Sequence, residues 1–154
     1  MKVSVDEGVE LLYREHGQRL WRAVMAFTGD REVASDAVAE AFAQALRRGD
    51  VINDPLRWVW RAAFRIAAGE LKERGRFREA STDRGYDQDE PVTDLLEALA
   101  KLSPKQRAAV LLHHHAGYPV KEVADIIGST TAAVKVHLMR GRNRLRDLLG
   151  EEHD

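Results

Sequence analysis

Apolar positions recur every three or four residues along nearly the whole chain, and no alternating run is long enough for a strand, so the pattern predicts an all-α protein. A first helix is expected over about Val5 to Phe27, with Val9, Leu12, Leu20, Val24 and Phe27 near one face. Thr28-Gly29-Asp30 breaks it, and Asp30 is suited to cap a second helix reaching about Arg47, with apolar Val33, Val38, Phe42 and Leu46. The loop from Arg48 to Asp54 then runs into Asp54-Pro55, a cap and first-turn pair that opens a third helix, about Pro55 to Arg74. This helix carries Trp58, Val59, Trp60, Ala63, Ile66, Ala67 and Leu71. Trp58 and Trp60 cannot both point inward from one face, so Trp58 is expected in the core and Trp60 half-exposed.

Periodicity lapses over the segment REASTDRGYDQDEP, which is poor in apolar residues and ends in Pro91. A flexible linker is the economical reading. Helical spacing resumes at about Thr93 to Lys101 and again at Pro104 to Ala116. Ser103-Pro104-Lys105-Gln106 marks the second start: the Ser hydroxyl accepts from the amide of Gln106, the Gln side chain reaches back, and Pro presets the first turn. Two small helical domains result, an N-terminal bundle over 1–78 and a C-terminal domain over 94–150, joined by an acidic linker over 79–93.

Val120, Val123, Ala124 and Ile127 form one stripe, Gly128 can take the left-handed conformation, and Thr130 can cap the next helix. The pattern is a helix-turn-helix, with Ala124, Gly128 and Val134 supplying the small residue, the positive-φ turn and the buried anchor. In its second helix Val134, Leu138, Gly141, Leu145 and Leu148 make the buried seam. Lys135, Arg142 and Arg146 fall on one flank and His137, Arg140 and Arg144 on the other, with Ala132, Val136, Met139 and Asn143 between them. Basic walls around a small, partly apolar strip fit a DNA major groove: the walls meet phosphates, and the strip meets base edges or thymine methyls.

Charge changes the picture, because the formal net charge of -1 conceals segregation. Residues 57 to 78 hold seven lysines and arginines against two acids, and residues 79 to 97 hold seven acids against Arg84 alone. Between Lys135 and Arg146 there are five lysines and arginines and no acid. Such asymmetry points to a polyanion partner. The 154 residues are 44% hydrophobic and 32% charged, which suits one ordinary domain or two small ones. The absence of cysteine rules out disulfides and thiolate chemistry. Acids stand where a signal peptide would need its apolar core, and no apolar run is long enough for a bilayer, so no membrane insertion is expected and the cytoplasm is the default location.

With these features in place, the stretch LSPKQRAAVLLHHHAGYPVKEVADIIGSTTAAVKVHLMRGRNRLRDLL resembles the fourth region of extracytoplasmic-function (ECF) sigma factors, the promoter-specificity subunits of bacterial RNA polymerase. LYREHGQRLWRAVMAFTGDREVASDAVAEAFAQAL and PLRWVWRAAFRIAAGELKERGR resemble the family's second region, in the same order and at a similar separation. The likeness runs from about Leu11 to Leu149, and the pairing of both halves makes it specific.

The resemblance implies a non-enzymatic protein that binds core RNA polymerase and promoter DNA, recognises promoters and initiates transcription of a stress- or signal-responsive regulon, with an anti-sigma factor as a further partner. Asp36 and Glu40 match acidic positions that dock on the clamp helices of the largest polymerase subunit, and one turn of helix separates them. Trp58, Trp60 and Arg61 match the aromatic and basic start of the helix that faces the minus-ten element, and Asn53, Arg57 and Arg65 are expected to meet the same DNA. The loop from Arg48 to Asp54 matches the one that captures a flipped base. Thr131, Ala132, Lys135, Val136, His137 and Arg140 match the side chains that read the minus-thirty-five element. The sequence departs from the family at Arg65 and Gly69, where many relatives have Asn and Asp, and at Pro119, where Ser or Thr is usual.

Other chemistries find little support. No nucleophile elbow, phosphate loop, HExxH motif or carboxylate pair in a pocket is present, so no catalytic residue and no cofactor is expected. His113, His114 and His115 fan out by roughly 100° per residue on a helix and cannot chelate one metal ion well, so one is expected inward and two at the surface. The runner-up is a stand-alone helix-turn-helix regulator, or a sigma-like adaptor that does not open promoters.

Overall fold

The computed structural model describes residues 5–73 and 90–150. Seven α-helices account for most of them: α1 (Val5–Thr28), α2 (Arg31–Arg48), α3 (Pro55–Glu73), α4 (Glu90–Ala100), α5 (Pro104–Val110), α6 (Val120–Ile127) and α7 (Thr131–Gly150). A short 3-10 turn spans Gly49–Val51, and a π-helical segment, Leu111–His115, extends α5. No strand occurs among the described residues.

The helix boundaries follow from local chemistry. The Asp30 carboxylate accepts from the amides of Glu32 and Val33, which opens α2 directly after α1. Asp54 accepts from the Arg57 amide at 3.2 Å and opens α3. At α5 both halves of the capping box are made, Ser103 Oγ accepting from Gln106 N and Gln106 Oε1 from Ser103 N, each at 3.2 Å. Gly128 closes α6 with φ 68 and ψ 45, a conformation in which glycine avoids the Cβ clash of other residues.

Two of these boundaries differ from the sequence expectation. Helix α4 begins at Glu90 rather than near Thr93, so Pro91 sits in a first turn, where a missing amide hydrogen costs nothing. The proposed linker otherwise lies, over residues 79–89, outside the described residues. The helix expected to run to Ala116 widens into a π turn from Leu111, with Ala116 N donating to Leu111 O at 3.0 Å.

Helices α1, α2 and α3 pack on one another as an N-terminal bundle, and α7 packs on α4, α5 and α6 as a C-terminal unit. The two units also touch: α1 meets α4, α5 and the π segment, and α3 meets α6. One consequence appears at the end of α1, where every residue from Ala23 to Asp30 is buried rather than one face only. Arg107 of α5 lies at the centre of this junction and is only 4% exposed. Its Nη1 donates to Phe27 O at 2.7 Å, its Nε to Leu99 O at 2.9 Å, and its Nη2 to Ala100 O and Leu102 O. It therefore satisfies carbonyls at the end of α4 and at the end of α1 with one side chain.

The two tryptophans of α3 reverse the sequence expectation. Trp60 is the buried one, 6% exposed, stacked on Phe64 one turn later with ring centroids 6.2 Å apart and met by His115 of the π segment at 5.9 Å. Trp58 is the half-exposed one, and the Arg48 guanidinium lies over its ring at 5.3 Å. Contact with the C-terminal unit is what helical periodicity within α3 could not register.

Candidate nucleic-acid and polymerase interface

The helix-turn-helix is built as the spacing predicts. Val134, Leu138 and Gly141 of α7 are buried, with Leu145 and Leu148 half-buried along the same seam. A Cβ added to Gly141 would lie 2.9 Å from Val110 Cγ2, so the missing side chain is what lets α7 approach α5. Thr130 Oγ1 accepts from Ala133 N at 3.1 Å and fixes the start of α7. In α6, Val123 and Ala124 are buried as expected, and Ile126, which lies off the predicted stripe, is buried as well.

The seam leaves the opposite face of α7 in solvent. Thr131, Ala132, Lys135, Val136 and Arg140 are exposed and His137 is half-buried. Met139 is 50% exposed beside Val136. Neither Lys135 nor Arg140 forms an ion pair among the described residues. Burial holds the His137 imidazole below its usual range, and the nearby charges of Lys105 and Arg140 push the same way. Later in the helix Arg142 Nη1 lies 3.2 Å from His114 Nε2, and Arg146 donates to Asn143 Oδ1. The histidine run spreads out: His113 is half-buried with Nδ1 2.7 Å from Tyr118 O, while His114 and His115 are exposed. No cluster of three metal-ligating side chains occurs among the described residues.

On α3 the candidate minus-ten residues meet α6. Arg57 donates to Glu122 Oε2 at 2.6 Å, and Arg61 lies 3.7 Å from the same oxygen. Arg65 donates to the main-chain oxygen of Asp125 at 3.2 Å. The Tyr118 hydroxyl donates to Arg57 O at 2.6 Å, and the Arg57 guanidinium lies over the Tyr118 ring at 5.1 Å. Burial raises the Tyr118 hydroxyl well above the ordinary phenol range, so it stays a donor. Asn53 is exposed in the preceding loop, which also holds Val51 out into solvent at 81%. Trp60 faces the packed interior and is withheld from the surface beside the arginines in this arrangement.

On α2, Asp36 is exposed and Glu40 half-exposed, one turn apart. Glu40 Oε1 accepts from Arg47 at 2.9 Å and from Gln44 at 3.2 Å, and these bonds hold its carboxyl below the usual range. The same helix forms one wall of a groove of about 1070 Å³ against α1, lined among others by Tyr13, Trp21, Val38, Phe42 and Leu46. Leu46, one of the apolar positions expected on this helix, is exposed on this wall.

Three residues that shape these surfaces escape sequence reasoning: Arg107, Tyr118 and Glu122. Each acts across a long sequence separation. Only the capping box before Arg107 offers a local sign that its helix is firmly placed.

Comparison with known proteins agrees with this architecture. The Sigma-70, region 4 family model matches residues 93–145, which cover α5 and α6 and most of α4 and α7. The chain is 30% identical to the ECF RNA polymerase sigma factor SigL of Mycobacterium tuberculosis, over 91% of this chain and 88% of that one. It is 24% identical to the RNA polymerase sigma factor SigV of Bacillus subtilis, over 90% and 89% respectively. Among solved structures it is similar to the sigma factor RpoE of Bartonella quintana in complex with the anti-sigma factor NepR (TM-score 0.73, 21% identity, 92% of this chain and 96% of that one). It is similar also to CnrH in complex with the cytosolic domain of CnrY (TM-score 0.63, 25% identity, 93% and 88%). With a helix-turn-helix that matches region 4 and a likeness to SigL spanning both helical units, the chain belongs to the ECF RNA polymerase sigma factors.

Proposed function

We propose that this chain directs core RNA polymerase to promoters, with α7 reading the minus-thirty-five element and α3 with its preceding loop engaging the minus-ten element. The exposed face of α7, which carries no acid between Lys135 and Arg146 and is seated on a close-packed glycine contact, carries this reading most directly. Thr131, Ala132, Lys135 and Val136 occupy the first turns, where side chains reach base edges, with His137 and Arg140 beside them. Arg142, Arg144 and Arg146 come later and suit phosphates or the polymerase flap.

Residues 1–78 act as the polymerase and minus-ten unit, 94–150 as the minus-thirty-five unit, and the acidic segment between them as a tether. Arg57, Arg61 and Arg65 supply the cations for the minus-ten strand, Asn53 and Val51 lie in the base-capture loop, and Trp60 joins them only if the two units separate. Asp36 and Glu40 meet a basic surface of the polymerase clamp, and the groove beside them receives apolar side chains. An anti-sigma factor is a fitting regulator, since the structural relative RpoE was solved with such a partner. No step calls for catalysis by the chain itself. The likeness to sigma factors over both units favours an initiator over a stand-alone regulator.

Run-off transcription tests the reading: purified core polymerase plus this chain should start transcripts from promoter templates selected out of a randomised library, whereas a repressor or adaptor would yield none. Replacing Asp36 and Glu40 together by Lys should weaken core binding at least tenfold, a loss of about 1.4 kcal/mol. The thermal melt should stay near that of the parent. Unchanged core binding would remove these two acids from the docking surface.

A further inference from the structure

We infer that His114 of the π segment joins Arg142 of α7 in a site for a DNA backbone phosphate, and that filling this site puts a proton on the imidazole. This rests on the reading of α7 as a DNA-binding helix. Arg142 stands with Lys135 and Arg146 on one flank of α7, and both Arg142 and His114 are exposed. Arg142 Nη1 lies 3.2 Å from His114 Nε2. A guanidinium can only donate, so Nε2 accepts, and the contact exists only while the imidazole is neutral with its proton on Nδ1. Protonation sets two donors and two positive charges against each other, and an anion between them is what keeps both in place. A phosphate is such an anion: it takes the donor that His114 now holds and accepts from the imidazolium as well.

The surroundings leave that charge to be supplied from outside the chain. No carboxylate pairs with His114 among the described residues. Burial holds its imidazole below the ordinary histidine range, and the charges of His113 and Arg142 push the same way. The His113 ring lies edge-on at 4.9 Å, and its Nδ1, 2.7 Å from Tyr118 O, carries a proton because a carbonyl can only accept. Charges on the other packed elements face other groups: Arg19 of α1 faces His115, and Lys105 of α5 faces His137. Arg107 of α5 binds main-chain carbonyls, and Glu122 of α6 is held by Arg57. His114 is therefore mostly neutral in the free chain at about pH 7. A phosphate raises its proton affinity, so binding takes up a proton. The gain in DNA affinity appears as pH falls through the pKa of the bound form and is complete below that of the free form.

The test uses the full chain and a fluorescent duplex of random sequence, because a phosphate contact does not depend on base order. Binding is followed by anisotropy from about pH 8 to about pH 5, the range over which histidine changes charge. The parent is compared with His114→Gln, whose amide oxygen can still accept from Arg142 but whose side chain does not titrate. His137→Gln removes the titrating group on the opposite flank of α7. At the alkaline end His114→Gln should match the parent, and at the acid end it should bind about tenfold more weakly, the factor for one pKa unit gained by the imidazole. In acid the parent's affinity should also fall more steeply with salt, its logarithmic slope exceeding that of His114→Gln by about 1, as one added phosphate contact requires. His137→Gln should retain this acid gain. Coincident pH profiles for the parent and His114→Gln would overturn the inference. A loss with His114→Gln that is equal at every pH would do the same, since it marks a contact that only shapes the fold. Disappearance of the whole acid gain in His137→Gln would move the proton to the other flank. Run-off transcription by the unsubstituted chain at the alkaline end reads the sigma-factor function separately, so transcripts there leave that function standing even where the pH profiles coincide.

Discussion

Helices α3 and α7 carry four and five lysines and arginines and meet different company. On α7, Lys135, Arg140 and Arg144 stand in solvent and none of them forms an ion pair among the described residues. On α3, Arg57 and Arg61 share one carboxylate oxygen of Glu122, and Arg65 binds a main-chain oxygen of the same helix, α6. A count of basic residues cannot separate these cases. What separates them is the three-dimensional neighbour: α7 turns its apolar seam toward α5 and keeps its cations outside, whereas α3 lies where two units meet. The same kind of side chain is open to a ligand in one helix and engaged in the other.

The contrast between the two helices depends most on the joint. Arg107→Ala would leave main-chain carbonyls of Phe27, Leu99, Ala100 and Leu102 without this donor. The expected loss of unfolding free energy is about 3 kcal/mol, since buried acceptors lose partners they cannot replace with water. Urea denaturation followed by circular dichroism checks it, and Arg107→Lys should recover only part, because an ammonium lacks the fork that reaches several acceptors. A loss below about 1 kcal/mol, the net value of an ordinary hydrogen bond, would mean the units are joined elsewhere.

A finer division falls within α7. Lys135→Ala should change which minus-thirty-five sequences are preferred, with a discrimination of about 1 to 3 kcal/mol at the affected base. Arg144→Ala should weaken promoter use evenly, as the loss of a phosphate contact does. Transcription of a randomised minus-thirty-five library by core enzyme with each variant reads the difference. A changed preference with Arg144→Ala and none with Lys135→Ala would place the reading face elsewhere on the helix.

The mildest substitution belongs to α3. Gly69 lies mid-helix and exposed, and a Cβ built there meets nothing within 4 Å. Gly69→Ala should raise the unfolding free energy by about 1 kcal/mol, the propensity difference alone. A fall in stability would show that the glycine answers a packing need.

Much of this was legible in the chain. Asp30, Asp54, Ser103 with Gln106, Gly128 and Thr130 announce helix ends because each satisfies backbone groups two to four residues away, and the seam of α7 follows because helical period and burial coincide there. The histidine run also fans out as its spacing requires. Legibility fails where the partner is distant in sequence. Trp60 and Trp58 exchange roles because His115 and the rest of the C-terminal unit cover one face of α3, and Leu46 stays exposed because the wall of the α1–α2 groove on which it lies is left uncovered. The π turn at Leu111–His115 has no local sequence mark, and it sends the chain back so that Tyr118 N meets Leu112 O. Among the site residues, Lys135 and Val136 lie in solvent as their spacing predicts, while the engagement of Arg57, Arg61 and Arg65 depends on α6, which enters the chain some sixty residues later.

The bond from Arg107 to the carbonyl of Phe27 spans 80 residues, and that separation bears on how the protein is made. A ribosome releases the end of α1 long before it has polymerised the guanidinium that will bind there. Until then Phe27 and its neighbours rely on α2 and α3 for cover, and the side destined for α4 and α5 faces water. The unfinished chain thus displays an apolar seat that the finished one conceals, which is the kind of surface a chaperone holds. Completion of α5 supplies the donor that the Phe27 carbonyl awaits, and a message truncated before Arg107 would yield a product that still displays this seat.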